Sequence, residues 1–100
     1  MTNYRELLIS AKIDFRKLTP AMPKGLKGAA MLDFDADVTG PRYIAEAARI
    51  DALADKMESS GNSFGARDAF VTRTHAKRLR SWAARAIQVR DYCKATGRAA

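Results

Sequence analysis

Cysteine, histidine and tryptophan each occur once in the 100 residues, and each scarcity excludes something. With Cys93 alone, neither an intrachain disulfide nor a multi-cysteine zinc site is possible. A reducing, cytoplasmic setting is therefore expected. His75 is the only imidazole and lies eighteen residues from Cys93. On one helix that separation is about 27 Å, too far for a nucleophile and its base within one chain. No apolar run approaches the ~20 residues that cross a bilayer. The opening Met-Thr-Asn-Tyr-Arg-Glu also lacks the apolar stretch of a secretory signal. The patterns G-x-x-x-x-G-K-[ST] and H-E-x-x-H are missing, as are paired acids with a reachable partner. The expectation is a non-enzymatic protein with no cofactor. Apolar residues at 47% against 29% charged mark a globular chain, and its length allows one domain.

The last third of the chain has little negative charge. Residues 1–65 carry nine Lys/Arg and nine Asp/Glu, whereas residues 66–100 carry nine Lys/Arg against only Asp68 and Asp91. The formal excess of +7 therefore falls wholly at the C-terminal end. Such asymmetry suggests an electrostatic footprint for an acidic partner; the plainer alternative is a solvated helix face.

Period-two alternation predicts strands in the first 38 residues. Ile9, Ala11, Ile13 and Phe15 alternate with Ser10, Lys12, Asp14 and Arg16. Ala30, Leu32, Phe34, Ala36 and Val38 alternate with Asp33, Asp35 and Asp37. A three-four spacing also runs through Tyr4, Leu8, Ala11, Phe15 and Leu18, but the strict alternation favours a strand from Ile9 onward, with room for a helical turn over residues 3–8 before it. The breaker-rich segment from Thr19 to Gly28 would join the two strands. The expected fold is α+β: a two-stranded β-hairpin over 8–17 and 29–38, with Lys12 and Arg16 facing the Asp row, followed by two α-helices.

Thr39, Gly40 and Pro41 read as a helix start, and Tyr43, Ala47, Ile50, Ala54 and Met57 follow at three-four spacing. After the loop Ser59–Ser63, a long basic helix is expected over 64–95. Its stripe would be Leu79, Trp82, Ala86, Val89 and Cys93, widened by Val71, Ala83 and Ile87. The helix would be about 45 Å long, more than a partner of roughly eighteen residues covers. The rest would pack on the hairpin, on a target, or on a second copy in a homodimer.

Six cations on this helix, Arg67, Arg73, Lys77, Arg78, Arg80 and Arg85, fall away from that stripe. The planar guanidinium fork suits phosphates, so they are the candidate contacts to nucleic acid or to an acidic protein. Lys24 and Lys27, beside Met22 and Leu26 in the long loop, are further candidate contacts. The Asp33, Asp35, Asp37 row invites comparison with a Ca²⁺ loop, which fails. Val38 stands where the glycine belongs and Ile44 where the closing acid belongs, so no metal is expected. His75 reads as a partly buried histidine and Cys93 as a core thiol. Trp82 also reads as core, unless the helix faces nucleic acid and the indole stacks on a base.

The expected function is a small basic binding protein that contacts the phosphate backbone of nucleic acid through its last helix. The alternative is an inhibitor or accessory protein of phage or plasmid type. It would dock by protein–protein contacts on a host nucleic-acid-processing complex such as a nuclease, CRISPR-type or recombination machinery.

Overall fold

The computed structural model of the protein describes residues 3–97. They are 77% helical and contain no strand, so the expected β-hairpin and α+β class are overturned in favour of an all-helical fold. Helix α1 spans Tyr4–Ser10 and the short α2 spans Phe15–Leu18. An irregular segment then leads to α3 (Ala29–Phe34), a π-helical turn (Asp35–Thr39), α4 (Gly40–Glu58) and α5 (Gly65–Thr96). No helix among the described residues is long and apolar enough to cross a membrane.

The alternation that predicts strands leans on alanine, and alanine is where that inference fails. Ala11, Ala30 and Ala36 complete the period of two, yet Ala is the best helix former and is depleted in strands. Local caps reinforce the helices. The Asn3 side chain accepts a hydrogen bond from Arg5 N at 3.0 Å, and the Asp14 side chain accepts one from Arg16 N at 3.0 Å. Asp14, read as an outward strand residue, is thus the N-cap of α2.

Thr39, Gly40 and Pro41 do stand at the start of α4, but as a junction with the preceding turn and not as a free helix start. Thr39 and Gly40 are both right-handed helical, and the chain continues from α3 through the π turn into α4. Pro41 has no N–H and its ring conflicts with the carbonyl four residues back, which an unbroken α-helix does not accommodate. In the π turn Gly40 N–H instead reaches Asp35 O, which widens the helix immediately before the proline. One continuous helical rod over residues 29–58 therefore replaces the expected hairpin strand and the helix after it. Its first part covers the distal half of α5, where a hairpin, target or second copy was expected.

Helices α4 and α5 form an antiparallel pair with a seam of small residues at seven-residue intervals. Gly40, Ala47 and Ala54 recur on α4, and Ala69, Ala76 and Ala83 on α5; all six are buried. The larger residues Tyr43, Ile50 and Met57 keep the same interval one step away, as do Thr72 and Leu79 on α5. A seven-residue repeat holds a seam together along a left-handed helix pair, and small side chains let the two backbones approach. The buried face of α5 is therefore the alanine row, not the stripe of large residues. Trp82, Val71, Val89 and Ile87, expected in the core, are all substantially exposed.

Beyond this seam the molecule is thin. Its Cα extents are 54 × 24 × 13 Å and its radius of gyration is 16.9 Å, against about 13 Å for a compact chain of this length. It exposes 7004 Å², where a compact monomer of this mass exposes about 5600 Å².

Candidate functional site: an apolar trough with a cationic rim

The charge asymmetry seen along the sequence does not survive folding. Carboxylates of the electrically neutral first part pair with cations of α5 in a ladder along one edge of the helix pair. Arg73 sits between Asp55 (2.7 Å) and Glu58 (2.6 Å), and Arg80 meets Asp51 at 2.5 Å. Further along, Arg90 meets Asp37 at 2.7 Å and Lys94 meets Asp33 at 2.8 Å. Hydrogen bonds to Asp55 and then Glu58 hold the Arg73 guanidinium above its ordinary pKa, and those to Asp91 and Asp37 do the same for Arg90. Asp33 and Asp37 thus serve α5, and do not face Lys12 and Arg16 across a hairpin. The cations left over lie elsewhere. Among the described residues, Lys77, Arg78 and Arg85 have no ion-pair partner, and neither do Arg5, Lys12, Arg16, Lys17, Lys24, Lys27, Arg42 and Lys56.

The six cations proposed from sequence therefore do not form one face. Arg73 and Arg80 turn to α4 and are occupied there. Arg67, Arg78 and Arg85, spaced by eleven and seven residues, lie along the opposite edge of α5. Arg67 stacks over the Phe64 ring at 4.5 Å and pairs with Asp68 at 3.3 Å. Lys77 is exposed on the back of the helix. Lys24 and Lys27 are exposed in the irregular segment, while Met22 and Leu26 are half-buried.

Arg78 and Arg85 border an apolar trough that the sequence does not announce. Its main basin, about 860 Å³, lies between α1–α2 on one side and α5 on the other. Leu8, Ile13 and Phe15 form one wall; Val71, His75, Arg78 and Trp82 form the other; Tyr43 and Met57 of α4 make the floor. Lys12 joins the rim from the α1–α2 side. Trp82 also lines a second basin of about 320 Å³ with Leu32, Asp35, Arg85, Ala86 and Val89. Phe15 is 54% exposed, Trp82 51% and Val71 46%. The aromatic rings nevertheless have fixed places. Tyr43 holds Phe15 edge-on at 6.4 Å and Trp82 in a tilted pair at 5.2 Å. The Tyr43 hydroxyl is hydrogen-bonded to Thr19 Oγ1 at 2.8 Å. His75, expected to be partly buried, is exposed on the trough wall. Cys93 is half-buried further along α5.

One end of the trough is closed by a hydrogen bond from the Tyr4 hydroxyl to Asp68. Desolvation and this bond to the carboxylate push the Tyr4 pKa up to about 12. A group whose pKa is raised on folding adds stability below its unfolded value, near 10, and loses it as pH climbs through the folded value. Alkaline titration is therefore expected to loosen α1 from α5 between about pH 10 and 12. An absorbance titration should show a tyrosine step near pH 12 that Tyr4→Phe removes. The absence of such a step in the folded protein would show that the latch is not formed.

No family model, curated protein or solved structure matches this chain.

Proposed function

We propose that the protein is a non-enzymatic docking protein that attaches to an acidic surface of a partner protein through the trough. The observation that supports this is the company kept by Phe15 and Trp82. Two half-exposed rings lie beside Lys12, Arg78 and Arg85, cations with no ion-pair partner among the described residues. Aromatic and arginine side chains around a recess are the usual anchors of protein–protein binding energy. An inhibitor or accessory protein of phage or plasmid type acts in this manner, occupying a surface of a nucleic-acid-processing complex without chemistry of its own. The cytoplasm is the compartment that suits such a role and the lone thiol of Cys93.

One observation favours direct nucleic-acid contact as a second reading. Arg78, Trp82 and Arg85 alternate along a single helix edge, an order in which a base stacks on the indole while phosphates meet the flanking guanidiniums. The two readings separate in one experiment. Tagged full-length protein, its Trp82→Ala variant and an Arg78→Gln/Arg85→Gln variant are passed through lysate with and without nuclease. Nuclease-resistant retention of a partner that both variants lose supports docking. Binding of a random single-stranded oligonucleotide, with a log K against log salt slope that shrinks by about 0.7 per lost cation, supports the second reading. Partner retention unchanged in both variants removes the trough from function.

A further inference from the structure

We infer that the trough receives an amphipathic α-helix of a partner protein, apolar where it meets Phe15 and Trp82 and carboxylate-bearing along its margins. This deepens the docking reading and rests on it. The first argument is shape. α1–α2 and α5 flank α4 without meeting along the main basin, so its floor is α4 itself, at Tyr43 and Met57. That is the place a fourth helix takes in a bundle, and a gap between two helices over a third fits another helix. From Val71 to Val89 the α5 wall spans eighteen residues, about 27 Å or five helical turns.

Charge then chooses the occupant. Lys12 stands on one wall of the main basin and Arg78 on the other, both without a carboxylate partner among the described residues. The only acid lining that basin is Asp68, already engaged by Tyr4 and Arg67. Asp35 shares the second basin with Arg85, without an ion pair between them. A second copy of the chain would set α5 against α5 and bring Arg78 and Arg85 towards their own equivalents, which like-charge repulsion opposes. A nucleic-acid strand would find cations at the rim. Along the walls, however, Leu8, Ile13 and Val71 offer phosphates and sugars no hydrogen bond. An apolar helix with Glu or Asp on its flanks satisfies both the walls and the rim.

The test is a selection by the full-length protein from a displayed library of eighteen-residue helices. Leu or Phe occupies the i, i+3, i+4, i+7 positions, and the flanking positions are randomised between Glu and Lys. The native chain is expected to enrich Glu, and a Lys12→Glu/Arg78→Glu chain to enrich Lys at the same positions. The best native-selected peptide should bind Trp82→Ala and Val71→Asp at least tenfold more weakly in fluorescence anisotropy. Both variants are first checked for an unchanged circular-dichroism spectrum, and Val71→Asp decides if Trp82→Ala is not folded. The inference is overturned by the same flank preference in both selections, or by binding that neither trough variant weakens. A Trp82-dependent lysate capture that survives nuclease, with no helix selected, would leave docking standing and the helix wrong. Capture indifferent to Trp82 would remove both.

Discussion

Gly65→Ala is expected to lower the melting temperature by about 12–24 °C, far more than a glycine-to-alanine change at a helix start usually costs. Gly65 opens α5 and is buried against the end of α4. A Cβ there would stand 2.3 Å from Met57 O and 3.3 Å from Ser60 Oγ. The carbonyl cannot step aside cheaply, because the turn that carries it is bound to itself. Ser60 Oγ donates to Met57 O at 2.7 Å and accepts from Asn62 N at 3.1 Å; Asn62 O accepts from Gly65 N at 3.0 Å. Making room therefore means separating the two helices where the alanine seam begins, at a cost of about 3 kcal/mol, typical of severe overpacking. In a domain of this size each kcal/mol shifts the midpoint by roughly 4–8 °C. Gly61→Ala is the control. Its φ of +78° strains an alanine by about 1–2 kcal/mol, but its Cβ position is open. A thermal melt in which Gly65→Ala matches or exceeds Gly61→Ala would show that the helices do not approach so closely.

The same seam explains what could be read in the sequence and what could not. On α4 the three-four spacing of Tyr43, Ala47, Ile50, Ala54 and Met57 is the buried face, because large and small apolar residues alternate there and weight the pattern correctly. On α5 the buried positions are Gly65, Ala69, Thr72, Ala76, Leu79 and Ala83, only one of them large. A reading weighted by side-chain bulk moves to Trp82 and Val89, roughly a quarter to a third of a turn from the true face. The signal that finds the seam is its period: Ala69, Ala76 and Ala83, with Ala47 and Ala54, fall at strict seven-residue steps. Alanine also misleads in the first 38 residues, where it completes an alternation that its own helical preference contradicts. Cations raise a different obstacle. Their number is legible, but the carboxylates that claim Arg73, Arg80, Arg90 and Lys94 come from α3, the π turn and α4, and only the antiparallel pairing brings them across. The trough exists because α5 spends its small residues on α4 and leaves its large ones facing outwards.

That division of labour leads to a ranking opposite to the one side-chain size implies. Ile50→Ala is expected to cost about 2–5 kcal/mol, the range for emptying a buried aliphatic site. Ile50 is fully buried among Tyr43, Ala47, Ala76, Leu79 and Ala83, and the alanines around it cannot extend to fill the void. Trp82→Ala removes a much larger group but is expected to cost no more than about 2–3 kcal/mol, from the buried half of the indole and its ring pairing with Tyr43. Half of the indole is already in water, and no buried polar atom loses a partner when it goes. Chemical denaturation of both variants measures the order directly. A Trp82→Ala protein destabilised as much as Ile50→Ala would put the indole back in the core, as the sequence-weighted stripe has it, and leave the trough without its central wall. The expected order, with Ile50→Ala the less stable of the two, leaves Trp82 a large apolar side chain held in place for little return in stability relative to its size. A ring kept there at half exposure, with Arg78 four residues before it and Arg85 three residues after, is then accounted for by what it binds.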